Sequence, residues 1–438
     1  GPGTGKTHTV GVLLALLLEQ ARGQPLRIAL AAPTGKAAAR LQESIKKLKP
    51  GLPCGDEIKA ALPEEAFTVH RLLGSLPDSA CLKYNAENPL PFDVVVVDEA
   101  SMVDLALMSK LFAATAPAAR IILLGDKDQL ASVEAGAVLG DICHGAFDCQ
   151  LPIADCRLGS IQPALPLAFP PIANRNLAGC IAQLRKNYRF GADNGILALS
   201  TAINRGDAER ALELLSAAGK ELAGIRWAAL PTPNQMKERL REQVLGGFGD
   251  MLRAPDPRSA LQGLNRFRIL CALRQGPHGV ETSNRLVELI LAEAGLISTH
   301  SQWYSGRPVM VTRNDPHLKL FNGDIGIILP AGATGEPRAW FLGADNALRS
   351  LLPLRLPAHE TVFAMTVHKS QGSEFENVLL VLPDRVNPVL TRELVYTGVT
   401  RASRRVELWF TPPVFRAAVA RRVERTSGLR EALWGQRS

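Results

Sequence analysis

The feature that most constrains this chain is its opening, Gly1-Pro2-Gly3-Thr4-Gly5-Lys6-Thr7. The phosphate-binding loop follows the pattern G-x-x-x-x-G-K-[ST], and Gly5, Lys6 and Thr7 supply its end. Gly3 and Gly5, with Thr4 between them, let backbone N–H groups face phosphate oxygens. In that pattern Lys6 reaches the β and γ phosphates and the Thr7 hydroxyl holds Mg²⁺. The apolar run to Gln20 predicts a helix, which would set the phosphates at a helix N-terminus. A loop of this kind is fed by a strand and opens a helix. The first glycine of the pattern and the strand that feeds it would precede Gly1, so the sequence is expected to be a fragment. Made alone, it is expected to bind nucleotide weakly until the upstream segment is restored.

The rest of the first third fits a parallel sheet. Apolar runs at Arg27–Ala32, Val94–Val97 and Ile121–Leu124 alternate with helical segments. Continuous Val/Ile/Leu strands between helices predict a parallel α/β sheet covered on both faces. Ligands in such sheets bind at the carboxyl ends of the strands. Residues 74–92 are turn-rich and read as a small insertion, and residues 151–178 as a surface loop or linker. The stretch 197–241 reads as helical. The stretch 307–357 reads as strand and turn, with Asn322-Gly323 as a hairpin signal. A second α/β pattern closes the chain: a strand at Val378–Leu382, a helix near Arg392–Thr397 and a strand at Val406–Phe410.

The motifs cluster where those strands end. Four valines lead into Asp98 and Glu99. Asp98 is placed to hold the Mg²⁺ shell and Glu99 to polarise an attacking water. Gln129 follows the next strand and can hydrogen-bond both the γ-phosphate and that water. Ala32-Pro33-Thr34-Gly35-Lys36 and Phe67-Thr68-Val69-His70 put small polar and basic groups at the mouth of the sheet, suited to nucleic-acid phosphates. Thr366-Val367-His368-Lys369-Ser370-Gln371-Gly372 forms a polar turn that could face nucleic acid and nucleotide together. Arg189, in Asn187-Tyr188-Arg189-Phe190, and Arg401, in Val399-Thr400-Arg401-Ala402, lie far from the loop. A second lobe could deliver such cations on closing, and arginine suits phosphate because its planar fork binds two oxygens.

Composition narrows the class. The chain has 438 residues, 46% of them hydrophobic and 21% charged, which excludes a disordered or fibrous protein. Its net charge is +8. From Thr391 to Ser438 there are ten Arg against four Glu, so six of those eight charges sit in the last segment. A basic surface favours polyanions, nucleic acid first. Seven cysteines at irregular spacing read as reduced thiols in a cytosolic protein. The group Cys143, His144, Cys149 and Cys156 lacks the short paired spacing of a zinc site. No apolar run reaches the roughly 18 residues that span a bilayer, so no membrane association is expected.

These blocks, in this order, resemble the superfamily-one helicases. The resemblance is closest to the α-subunit family of exodeoxyribonuclease V, the RecBCD-type helicase–nuclease. It runs from Gly1 to about Leu429 and includes Asp98–Asp104, Gly125–Asp141, Trp303–Gly326, Met365–Phe375 and Thr391–Arg401. The resemblance implies two RecA-like P-loop motor domains with parallel sheets, at 1–150 and at 179–306 with 358–438. It implies an SH3-like β insertion at 307–357 and a pin-like insertion near 74–92. It implies ATP-driven 5′→3′ movement on single-stranded DNA and unwinding of frayed duplex ends for recombinational repair in the bacterial cytoplasm. RecB-like and RecC-like chains would be the partners, and any nuclease would belong to another subunit.

By motif, Gly3, Thr4, Gly5, Lys6 and Thr7 would bind ATP, and Thr7 and Asp98 the Mg²⁺. Glu99, Gln129, Arg189 and Arg401 would act on the γ-phosphate. Thr34, Lys36, His70, Thr366 and His368 would face DNA. Two other classes stand beside this one. An inactive scaffold would have no need of Lys6, Glu99, Gln129, Arg189 and Arg401 together. A P-loop switch ATPase needs neither a second lobe nor two distal arginines. RNA and DNA present the same phosphates, so the residues alone leave an RNA helicase open.

Overall fold

The computed structural model describes residues 3–21, 24–75, 82–131, 137–144, 177–184, 186–189, 194–217, 223–315, 317–332, 335–343, 347–423 and 428–434. Most of the expected linker at 151–178, together with Cys149, Cys156 and Phe190, lies outside them.

The first lobe starts with α1 (Lys6–Gln20), β1 (Ile28–Ala32) and α2 (Gly35–Leu48). It continues through α3 (Asp56–Ala61), β2 (Ala66–Thr68), α4 (Val69–Leu72) and β3 (Val94–Val97). Then come α5 (Leu105–Ala114), β4 (Arg120–Leu123) and α6 (Val138–Cys143). The strands run parallel in the order β2-β1-β3-β4. The period-2 geometry of a strand splits the apolar runs between two cores. Ala29, Ala31, Val95 and Val97 face one, with α5 and α6. Ile28, Leu30, Val94 and Val96 face the other, with α1 and α2. All four valines of β3 are fully buried, each stabilising the lobe by roughly 1.5–3 kcal/mol.

The second lobe follows the same plan. Its first part holds α7 (Gly195–Arg205), α8 (Ala208–Ala217), β5 (Ile225–Ala229) and α9 (Met236–Leu252). Next come α10 (Pro257–Leu264), β6 (Phe267–Cys271) and α11 (Val280–Glu293). An antiparallel sheet intervenes, made of β7 (Pro308–Val311), β8 (Ile325–Ala331), β9 (Glu336–Leu342), β10 (Leu348–Leu351) and β11 (His359–Thr361). The lobe then resumes with β12 (Ala364–Thr366), β13 (Phe375–Val381), α12 (Arg392–Val399), β14 (Ala402–Phe410) and α13 (Pro412–Ala420). Its parallel order is β12-β6-β13-β14-β5. A last short helix, α14 (Leu429–Trp434), returns to α6 through a hydrogen bond from the Trp434 ring N–H to the Asp141 carbonyl at 2.8 Å.

Three sequence readings are adjusted. The stretch 197–241 is not all helix, because β5 pairs in parallel with β14. Ala228 and Ala229 look helix-forming, but sheet pairing and the packing of the Trp227 ring on Phe410 override that weak preference. The strands expected from Val378 and Val406 begin earlier, at Phe375 and Ala402. The antiparallel sheet, in the order β10-β9-β8-β7-β11, runs past Pro357, since β11 pairs with β7. Asn322-Gly323 does form a turn, with Gly323 at φ +93°, at the end of the β7–β8 connection.

Phe248 on α9 is fully buried between Phe267 and Phe363, with ring centroids 5.1 and 5.0 Å away. Both contacts are edge-on, the favoured aromatic geometry. Phe248→Ala should destabilise the chain by about 3–5 kcal/mol, read as a lower urea midpoint for the loss of second-lobe structure.

Candidate functional site: a cleft between two parallel-sheet lobes

The loop before α1 turns on glycines. Gly3 and Gly5 have φ of +73° and +79°, the left-handed region that favours glycine. Gly5 caps α1, and its carbonyl accepts from Thr9 N–H at 2.9 Å and from the Thr9 hydroxyl at 3.0 Å. Lys6 and Thr7 form the first turn of the helix, so its unpaired N–H groups and positive dipole end face the cleft.

Asp98 and Glu99 stand where β3 ends. The Glu99 N–H donates to Asp98 Oδ1 at 2.8 Å. Glu99 has φ +50°, a conformation rare for a residue with a side chain. Burial, and then the Glu99 charge beside it, push the Asp98 carboxyl up to about 6. A carboxylate raised in this way favours a nearby cation. Its oxygen and the Thr7 hydroxyl are the hard donors that suit Mg²⁺.

Past β4 the chain turns through Asp126 to Leu130. Gln129 is buried, and its Nε2 donates to Asp126 Oδ2 at 3.1 Å. The same oxygen accepts from the Tyr396 hydroxyl of the second lobe at 2.9 Å. Leu130, the next residue, is gripped on both sides of its backbone. Its N–H donates to Thr397 Oγ1 at 2.9 Å, and its carbonyl accepts from Gln371 Nε2 at 2.6 Å. Burial and the neighbouring Asp126 hold the Tyr396 hydroxyl protonated, well above the usual range.

Arg401 is buried, and carbonyl oxygens position its guanidinium. Nε donates to Thr397 O and Nη1 to Ser373 O, each at 3.2 Å. Arg189 pairs with Glu374 at 2.6 Å, while the Tyr188 N–H donates to the Gly3 carbonyl at 2.8 Å. One cleft of about 420 Å³ is bordered by Gly3, Thr4, Gly5, Lys6, Thr7, Asp98, Glu99, Gln129, Arg189 and Arg401. Ten residues chosen from five separated motifs thus meet in a single cavity.

The other sequence candidates lie elsewhere or make different contacts. The Thr34 hydroxyl caps α2 by accepting from Ala37 N–H at 3.2 Å. His70 is exposed on α4, where the neighbouring strand ends. Lys36 reaches across the lobes and donates to Ser373 Oγ at 2.6 Å, and burial, then the Arg40 charge, push it down to about 7. Thr366 accepts from Lys369 N–H at 3.2 Å and borders a separate cavity of about 260 Å³ with Arg274 and Arg285. His368 lies in the short turn that follows β12.

Several site residues escaped the sequence reading. Arg40 borders the cleft one helical turn after Lys36, and that i, i+4 spacing was the available signal. Glu374, Tyr396 and Thr397 lie inside stretches singled out for other residues.

The chain resembles known proteins along nearly its whole length. Residues 1–135 match an AAA domain, and residues 361–408 match the UvrD-like helicase C-terminal domain. The RecBCD enzyme subunit RecD of Mycobacterium tuberculosis is 44% identical, over 99% of this chain and 69% of that protein. The ATP-dependent RecD2 DNA helicase of Deinococcus radiodurans is 30% identical, over 97% of this chain and 48% of that protein. Among solved structures, Bacteroides Pif1 bound to ssDNA aligns with a TM-score of 0.44 at 16% identity, covering 94% of this chain and 88% of that one.

The grip on Leu130 can be tested directly. Thr397→Val keeps the side-chain shape but leaves a buried N–H unpaired, at a cost of about 1–3 kcal/mol. Hydrogen exchange at the Leu130 amide should rise by roughly 10–100-fold, with amides inside β3 unchanged.

Proposed function

The chain belongs to the RecD family of RecBCD enzyme subunits, and on that premise we propose that it is an ATP-dependent DNA helicase motor. It would process double-strand ends within a RecBCD-type complex. The observation that carries the reading is the single cleft in which a phosphate loop, two carboxylates, a glutamine and two distal arginines converge from both lobes.

The residues divide the work. The loop N–H groups and Lys6 hold the phosphates of ATP. Mg²⁺, held by Thr7 and Asp98, would supply charge neutralisation on the phosphate oxygens. Glu99 takes the proton of the attacking water. Gln129 orients that water and the γ-phosphate. Arg189 and Arg401 bring positive charge to the γ-phosphate as it develops its transition-state charge. Tyr188, 70% exposed beside Gly5, offers a flat face for the nucleobase.

Movement follows from where the groups are anchored. Arg401 is tied to Thr397 and Ser373 of the second lobe, whereas Lys6 and Glu99 belong to the first. ATP draws the lobes together, and hydrolysis removes the anion that holds them. Thr34, His70, Thr366 and His368, at strand ends of the two lobes, are the proposed grips on the DNA backbone. The RecB-like and RecC-like partners, the 5′→3′ polarity and the division into motor domains at 1–150 and at 179–306 with 358–438 rest on family membership. Aromatic residues make up only 5% of the sequence, so DNA binding should rest on phosphate contacts and weaken steeply with salt.

Three measurements test the reading. ATP turnover by the full-length protein should rise with single-stranded DNA more than with RNA, and strand displacement should need a 5′ overhang. Stimulation by RNA alone would overturn the DNA assignment, and unwinding only from a 3′ overhang would overturn the polarity. Glu99→Gln should keep nucleotide binding and lower turnover by about 10²–10⁴-fold. Unchanged turnover would remove Glu99 from the role of base.

A further inference from the structure

Three arginines border the cleft, and they differ in what holds them. Arg401 is fixed by second-lobe carbonyls, and the Arg189 guanidinium is tethered to Glu374 ahead of β13. Arg40 stands on α2, in the lobe that also carries Lys6 and Glu99. That helix lies against α1 at Gly11, where an added Cβ would come within 2.1 Å of Leu48. Arg40 therefore keeps a fixed distance from the phosphate loop whatever the second lobe does.

The Arg40 side chain is open to the cleft, and among the described residues no side-chain hydrogen bond holds its guanidinium. Arg40 is exposed to solvent, and the cleft walls around it still desolvate the guanidinium and lower its pKa. Of the charges that act on it, Glu374 and Glu99 raise the pKa, and Arg401 and Arg189 lower it. Those four groups surround the place where a terminal phosphate would lie. A guanidinium that faces two others across a cleft is poised for an anion between them. Ser44 and Lys47 follow on the same face of α2, four and seven residues on, and border the same cleft. Glu43 borders the cleft as well and pairs with Lys47 at 2.7 Å, so the solvent edge of this face is electrically balanced.

We propose that Arg40 is the first lobe's own ligand for the terminal phosphate, holding it, and the inorganic phosphate it becomes, while the second lobe is swung away. The proposal rests on the reading of the cleft as an ATP site. Arg401, held by second-lobe carbonyls, gives its contact when the lobes close, and Arg40 gives its contact in both states. It therefore sets how well the open cleft distinguishes ATP from ADP, and how long inorganic phosphate stays after cleavage.

The test uses the full-length protein without DNA. Fluorescent ATP and ADP analogues are titrated, and phosphate release is followed with a fluorescent phosphate sensor. Arg40→Gln should weaken ATP binding by about 10–100-fold, the worth of a hydrogen bond to a charged group. ADP affinity should change less than about twofold, which also shows that the fold is intact. Arg40→Lys should recover part of the loss, and phosphate release should become faster relative to cleavage in Arg40→Gln. Equal losses for ATP and ADP would make Arg40 a packing residue of α2 and overturn the proposal, as would wild-type discrimination retained in Arg40→Gln. A wild-type protein that binds neither nucleotide would remove the ATP reading itself, and the role of Arg40 with it.

Discussion

The two-lobed arrangement depends on how the second lobe holds the backbone of Leu130. Its N–H and its carbonyl are both satisfied by side chains from the other lobe, Thr397 and Gln371. Each buried backbone group left without a partner would cost about 1–3 kcal/mol, so the turn after β4 cannot relax on its own. Gln129 is the residue before, and Asp126 ties it to Tyr396. The position of the second lobe is thereby transmitted to a side chain in the nucleotide cleft through backbone atoms and one shared carboxylate. Such a contact has two states, made or broken, which is what a motor requires of its coupling element.

The electrostatics of the cleft follow from the same economy of partners. Arg401 is positioned by carbonyl oxygens, which orient a guanidinium without neutralising it. Asp98 is half-dry and shifted upward, beside a second carboxylate. Positive groups stand on both lobes and the acids stand at the end of β3. A polyphosphate with a divalent cation satisfies both sets at once, whereas an uncharged ligand would satisfy neither.

Much of this was legible in the sequence, for identifiable reasons. Val94–Val97 could be read as a buried strand because both faces of a parallel strand are covered, so apolar residues are needed at every position. Glu99 and Gln129 could be read from their places just past strand ends, and Arg401 from its motif far from the phosphate loop. β5 was hidden because alanine is compatible with either element and only pairing with β14 decides. The grip on Leu130 was hidden for a deeper reason: backbone donors and acceptors are identical at every position and leave no mark in residue identity. Arg40 was hidden because a cation on the polar side of an amphipathic helix is ordinarily a solvated one. Only the fold shows that this face borders a cleft.

Gly3 carries one more consequence. A side chain there would place its first carbon 2.4 Å from the Cβ of Arg189, and the Gly3 carbonyl is already bound to the Tyr188 N–H. The glycine is therefore required as much by the distant segment that lies on the loop as by the phosphates the loop would hold. The two stretches are far apart in the chain yet form one mould and its cast. A chimera that exchanged the phosphate loop between relatives would have to bring residues 187–189 with it, and substitutions in either stretch should be inherited in pairs.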